Sequence, residues 1–171
     1  MINFEDKKVL FIDLDGTIIK TISGKTFPED ITDFRIQLPV LNKIVEKFPN
    51  LRYFFIVTNQ GGIGKFVTVD DFETKISNIC MFCDDYIGDR NMTTFADSDW
   101  IYCDSMDKNN PMRKPNTGML ETLLQYRFES KEECIMIGDA SGKPGDFSDS
   151  DKKCAENFGI DYIDVRDFLE L

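Results

Sequence analysis

The chain has 171 residues, 42% of them hydrophobic, no histidine and a net charge of −11. This length suits one domain with a real core, and the acidic balance excludes broad electrostatic adhesion to nucleic acid or anionic membrane. No apolar run approaches the roughly 20 residues of a membrane span, and the opening MINFEDKK is charged where a secretory leader would be apolar. An intracellular protein, cytoplasmic or nuclear, is therefore expected.

Val9–Ile12 is the first of five short, nearly continuous apolar runs, the pattern of strands covered on both faces. DLDGT follows it, and then SGKT. Val40, Leu41, Ile44, Val45 and Phe48 share a helical face. The second run, Tyr53–Val57, leads into TNQGGIG. Thr68 and Asp71 form a capping signal ahead of a helix bearing Val69, Phe72, Ile76, Ile79 and Cys83 on one side. After the irregular DRNMTTFADSD comes the third run, Ile101–Cys103, and then Arg113-Lys114-Pro115. Leu120, Leu123, Leu124 and Phe128 mark another helix. Gly138-Asp139 follows the fourth run, Cys134–Ile137, and opens the loop DASGKPGDFSDSD. Cys154, Ala155 and Phe158 predict a helix closed by Gly159, and Tyr162–Val165 is the last strand. The alternation predicts an α/β, Rossmann-like fold: a parallel five-stranded sheet sandwiched by helices, a single domain over residues 1–171 with no large cap domain.

Two motifs are decoys. A nucleotide-binding P-loop needs a glycine five residues before the Gly of Gly-Lys-Thr. Counting back from Gly24 lands on β-branched Ile19, and from Gly64 on Asn59, so neither cradle exists. Cys80 and Cys83 form a C-x-x-C with no second pair to complete a zinc site; they read as buried free thiols of a reducing compartment.

Asp13 and Asp15, Thr58 with Asn59, Lys114, and Asp139 all follow strands, which in a parallel sheet puts them at one ligand-binding edge. Asp13, Asp15 and Asp139 would repel one another without a cation, and their hard oxygens select magnesium. Asp13 is placed to attack phosphorus. Asp15 can protonate the leaving oxygen and then activate water. Gly16 lets the backbone curl so that both carboxylates face one point. Thr58 and Asn59 offer a hydroxyl and an amide to phosphate oxygens, and Lys114 supplies fixed positive charge.

DLDGT, TNQ, RKP and GDA together resemble the haloacid dehalogenase (HAD) superfamily of aspartate-nucleophile phosphatases. SGKTFPEDITDFRI, VTNQGGIGK, RKPNTGM and DFSDSD with FGI are similar to the 3′-phosphatase domain of polynucleotide kinase/phosphatase, over about Val9 to Phe168. The resemblance implies Asp13 as nucleophile and metal ligand, and Asp15 as general acid/base lending its backbone carbonyl to the metal. It implies Asp139 as the third magnesium ligand, and Thr58 and Lys114 as holders of the transferred phosphate. Asn59, Lys65 and Arg113 would lie near phosphate or the DNA end. Asp146 matches the acid of the family's DFS, supporting Lys114 or the metal's water shell. The implied protein is a magnesium-dependent DNA 3′-phosphatase of strand-end repair and a monomer. It has no kinase P-loop and so no expected 5′-kinase activity. Two alternatives are a small-molecule phosphatase of the histidinol-phosphate or heptose-bisphosphate type, and a binding module that keeps only the fold. The first usually carries a Cys/His zinc loop, where this chain has only Cys103 nearby. The second has no need of a clustered set of acids.

Overall fold

The computed structural model describes residues 2–26, 28–90 and 94–171. Phe27 of SGKTFP and residues 91–93 of DRNMTTFADSD lie outside them. In chain order, β1 (Val9–Ile12) is followed by a small hairpin, β2 (Ile19–Lys20) and β3 (Arg35–Ile36). Then come α1 (Leu38–Lys47), β4 (Tyr53–Asn59), α2 (Val69–Gly88), β5 (Asp97–Cys103) and α3 (Gly118–Leu124). β6 (Cys134–Gly138), α4 (Ser150–Phe158), β7 (Asp161–Asp164) and α5 (Val165–Leu169) complete the chain.

The main sheet has the order β5-β4-β1-β6-β7, and every pairing is parallel. β1, fully buried along its length, lies in the middle. Its alternate residues serve two layers, as the strand's period of two requires. Leu10 and Ile12 join α1, α2 and α5 on one face, whereas Val9 and Phe11 join α3 and α4 on the other. The chain runs from β1 to β4 and β5 on one side and then crosses back to β6 and β7 on the other, so the crevice at the carboxyl end of β1 is the natural ligand position.

Local signals set the helix ends. The Thr68 hydroxyl accepts from the Asp71 N–H at 3.1 Å and donates to its carboxylate at 2.8 Å, starting α2. Gly159, at φ 80°, takes the left-handed conformation that ends α4. Cys80 and Cys83 are buried free thiols on the core side of α2. Burial pushes the Cys80 thiol up to about 11.

Three boundaries differ from the sequence reading. β5 begins at Asp97 rather than Ile101, because it is the edge strand and its outward residues, Asp97 and Asp99, remain polar and exposed. α3 ends at Leu124, leaving Phe128 fully exposed outside it. Val165 starts α5 instead of ending a strand, because the Asp164 carboxylate caps the Arg166 N–H at 2.8 Å. The β2–β3 hairpin is new, its two-residue strands being too short to show a period. Among the described residues no helix is long and apolar enough to cross a membrane.

Candidate active site

The centre of the crevice is built around a buried lysine. Lys114, 3% exposed, points its ammonium at Asp13 Oδ1 (2.6 Å), Asp151 Oδ1 (2.7 Å) and the Val57 carbonyl (2.8 Å). Burial would strip its proton, but the Asp13 and Asp151 carboxylates prevail and hold its pKa above the usual lysine value. The main chain of Lys114 is fixed by Asn59, whose amide donates to the Lys114 carbonyl (3.0 Å) and accepts from its N–H (2.9 Å). Asn59, expected to offer its amide to phosphate, thus has both polar ends engaged in positioning Lys114.

Asp13 follows β1 directly and extends its ladder, its N–H donating to the Ile137 carbonyl at 3.0 Å. It is 7% exposed, and burial raises its pKa well above the usual carboxylate range; the Asp151 and Asp139 charges add to this and Lys114 opposes it. Asp139, just beyond β6, is pushed up to about 6 by burial and by the Asp151 charge. Ligand oxygens of Asp13, Asp139 and Asp151 lie within 4.8 Å of one another.

Two glycines make this crowding possible. A Cβ on Gly16 would stand 2.0 Å from Asp139 Oδ2, and its φ of 84° already disfavours any side chain. A Cβ on Gly138 would stand 2.3 Å from Asp151 Oδ2, an oxygen that also accepts from the Ala140 N–H at 3.1 Å. Three carboxylates with one ammonium leave surplus negative charge among hard oxygens, which suits a hard divalent cation. Asp151 is committed to Lys114 and Ala140, so Asp13 and Asp139 are the side chains left to hold an ion, with the Asp15 carbonyl as the expected third ligand.

Asp15 is exposed beyond the turn. Gln60 holds it, its amide Nε2 donating to Asp15 Oδ2 at 2.6 Å and to Thr58 Oγ1 at 2.9 Å. Thr58 itself is buried on β4, next to β1. Lys65 is exposed on the turn after Gly64, and Arg113 is partly buried with its guanidinium donating to the Ser105 carbonyl at 2.8 Å. Neither makes a side-chain hydrogen bond or ion pair with Asp13 or Lys114. SGKT lies in the loop between β2 and β3, not between a strand and a helix.

Of the two roles implied for Asp146, support of Lys114 falls instead to Asp151. Asp146 binds Arg166 Nη1 at 2.9 Å and accepts from Ser141 and Lys143, away from Lys114. The acid that supports Lys114 is Asp151, in the first turn of α4. Among the three acids of DFSDSD only the fold selects it, although its position near a helix start was legible. Gln60 was visible only as part of TNQ.

An aspartate pair beyond the central strand of a parallel sheet, with a lysine and a third acid converging from later strands, defines a HAD-type phosphatase. Two solved structures share the fold. One is a HAD-like phosphatase from Mesorhizobium loti, with a TM-score of 0.62 and 22% identity over 90% of this chain and 69% of that one. The other is the D,D-heptose 1,7-bisphosphate phosphatase of B. bronchiseptica, solved with magnesium and phosphate, with a TM-score of 0.61 and 15% identity over 95% and 96%. The profile of the family described as "Polynucleotide kinase 3 phosphatase" matches residues 8–168, and the chain belongs to that family. The bifunctional polynucleotide phosphatase/kinase of Schizosaccharomyces pombe is 32% identical over 95% of this chain. An uncharacterised 20.8 kDa protein of Autographa californica nuclear polyhedrosis virus is 31% identical over 96% of this chain and 86% of its own length. The histidine-biosynthesis bifunctional protein HisB of Legionella pneumophila is 28% identical over 93%. The chain spans 38% of the fission-yeast protein and 41% of the Legionella one.

Proposed function

We propose that the protein is a magnesium-dependent polynucleotide 3′-phosphatase that clears 3′-phosphate from DNA strand ends through an aspartyl-phosphate on Asp13. The observation that carries this reading is the family match across residues 8–168, which spans every member of the Asp13–Lys114–Asp151 centre and Asp139. The loops support it. Ile22, Phe66 and Met106, each exposed, stand on the loops that follow β2, β4 and β5. Exposed apolar and aromatic side chains on loops that leave these strands suit nucleobases better than a compact polar metabolite.

In this mechanism a carboxylate oxygen of Asp13 attacks phosphorus while the bond from phosphorus to the leaving 3′-oxygen breaks. Asp15 gives its proton to that oxygen, and the strand departs with a free hydroxyl. Asp15, now a base, takes a proton from water; the water oxygen attacks the same phosphorus, the bond to Asp13 breaks, and inorganic phosphate leaves. Lys114 and the Thr58 hydroxyl hold the equatorial oxygens. Bound magnesium would neutralise phosphate charge, so that an anionic nucleophile can approach. Gln60 keeps Asp15 over the leaving side.

The test offers a 3′-phosphorylated DNA oligonucleotide, histidinol phosphate and an aryl phosphate, each with magnesium or with chelator. The proposal requires the oligonucleotide to have the highest kcat/KM and the chelator to abolish turnover. Preference for histidinol phosphate would instead favour the metabolic branch to which the HisB relatives belong. Asp13→Asn should remove all turnover and leave the far-ultraviolet spectrum unchanged.

A further inference from the structure

Three buried lysines occur among the described residues, and two have obvious partners. Lys7 pairs with Asp161 at 2.6 Å, and Lys114 with Asp13 and Asp151. Lys75 is the exception. It is 9% exposed, on the core-facing side of α2 with Phe72, Ile76 and Ile79, yet among the described residues it forms no ion pair and no side-chain hydrogen bond. Its ammonium lies 4.7 Å from the centroid of the Phe34 ring, just ahead of β3, within the electrostatic reach of Asp15 and Asp33.

A helix stripe of this kind ordinarily carries an apolar residue, and a buried cation without a counter-ion is costly. The ring face of Phe34 offsets only part of that cost. Both neighbouring carboxylates have other work: Asp15 accepts from Gln60, and Asp33 accepts from Ser23 and Glu29 in the loop between β2 and β3. The position of Lys75 gives it a use. Asp15 bridges to Ile19 of β2 and lies within electrostatic reach of Lys75 on α2, so a leaving group that takes its proton from Asp15 stands on their side of the crevice. An anion carried by that leaving group would meet Lys75.

We infer that Lys75 forms a subsite for the phosphodiester on the 5′ side of the terminal nucleotide, so that the enzyme reads a strand rather than a lone nucleotide. This rests on the polynucleotide reading and names how that reading discriminates its substrate. Lys75 does not touch the reacting atoms; it is a specificity residue, and aryl phosphates have nothing for it to hold.

The experiment compares a dinucleotide bearing a 3′-phosphate with a nucleoside 3′-monophosphate that lacks the internal phosphodiester. Wild-type enzyme should show a KM about 10-fold lower for the dinucleotide, the scale of one charge-assisted hydrogen bond. Lys75→Met, which keeps an apolar stem, should erase that difference and leave the monophosphate and an aryl phosphate unchanged; Lys75→Arg should restore most of it. Should Lys75→Met fail to fold, the wild-type protein suffices, because an uncharged methylphosphonate in place of the internal phosphodiester should raise KM by the same factor. Equal loss on both substrates would make Lys75 a packing residue. If wild-type enzyme prefers the dinucleotide but neither Lys75→Met nor the methylphosphonate changes KM, the inference fails while the polynucleotide reading stands. If neither nucleotide is turned over while histidinol phosphate is, both fail.

Discussion

Asp151 and Lys114 meet at 2.7 Å with both side chains 2% exposed, and Asp13 lies 2.6 Å from the same ammonium. One cation is thus shared between Asp13, the proposed nucleophile, and Asp151, which has no part in the proposed bond making. Each pull that Asp151 exerts on Lys114 weakens the hold of that ammonium on Asp13.

Asp151→Asn should leave Lys114 paired mainly with Asp13 and draw the attacking oxygen onto the ammonium. kcat should fall at least ~10-fold, the equivalent of one charged hydrogen bond, with a smaller change in KM. Steady-state kinetics on an oligonucleotide substrate checks this. An Asp151→Asn enzyme with wild-type kcat would mean that Lys114 is positioned by Asn59 and Val57 alone.

Gly16 and Gly24 provide a matched pair. Both have positive φ, 84° and 76°, but an added Cβ meets Asp139 at 2.0 Å in the first case and nothing within 4 Å in the second. Each alanine variant should lose about 1–2 kcal/mol for the left-handed backbone. That corresponds to roughly 2–8 °C in Tm for a chain of this size. Only Gly16→Ala should also lose the rise in Tm expected on adding magnesium. Thermal unfolding with magnesium and with chelator separates the two effects, and loss of the magnesium response in Gly24→Ala would show that the backbone change, not Asp139, is responsible.

Much of this centre was legible because each strand ends in a residue type the chemistry needs: Asp13 and Asp15 after Ile12, Thr58 after Val57, Asp139 after Gly138. A buried apolar run that stops at a carboxylate is a strong signal in a parallel sheet. What the sequence hid is what depends on a partner far along the chain. Asp151 acts on Lys114 because Gly138 has no side chain to keep it away, and nothing in SDSD distinguishes it from Asp149. Asn59 turns toward Lys114 rather than outward because the loop before α3 folds back over β4. Lys75 was hidden differently: a lysine in line with Phe72, Ile76 and Ile79 breaks the apolar pattern of its helix, and that break was itself the available signal.

Asp15 should matter in proportion to how badly the leaving group needs a proton. Asp15→Asn is expected to slow hydrolysis of an alkyl or nucleotide monoester by ~10²–10⁴-fold, the range of general acid catalysis, and a p-nitrophenyl ester much less. Gln60→Ala, which frees Asp15 from its 2.6 Å hydrogen bond, should fall between the two. A plot of log kcat against leaving-group pKa reads the result; parallel slopes for wild type and Asp15→Asn would remove the acid role.

Asp146 should govern acid tolerance rather than catalysis. Its hydrogen bonds to Arg166, with Ser141 and Lys143 in support and burial opposing, lower its pKa to about 2. In the unfolded chain the same group titrates near ~3.9. The folded state therefore binds this proton less readily, and the stabilisation is present above pH ~4 and lost as pH falls through ~2. Asp164, opposed by burial but overcome by Arg166, lies below the usual carboxylate range and acts in the same direction. The Arg166 side chain is 48% exposed, so solvent screening reduces the contribution of Asp146 to about 1 kcal/mol. Urea unfolding at pH 5 and pH 3 should accordingly show wild-type protein losing about 0.5 kcal/mol more than Asp146→Asn over that interval, the other half going below pH 3. Turnover of Asp146→Asn at neutral pH should remain within a few-fold of wild type, because Asp151, not Asp146, faces Lys114. A collapse of kcat with an unchanged acid profile would place Asp146 in the phosphate site instead of the Arg166 network.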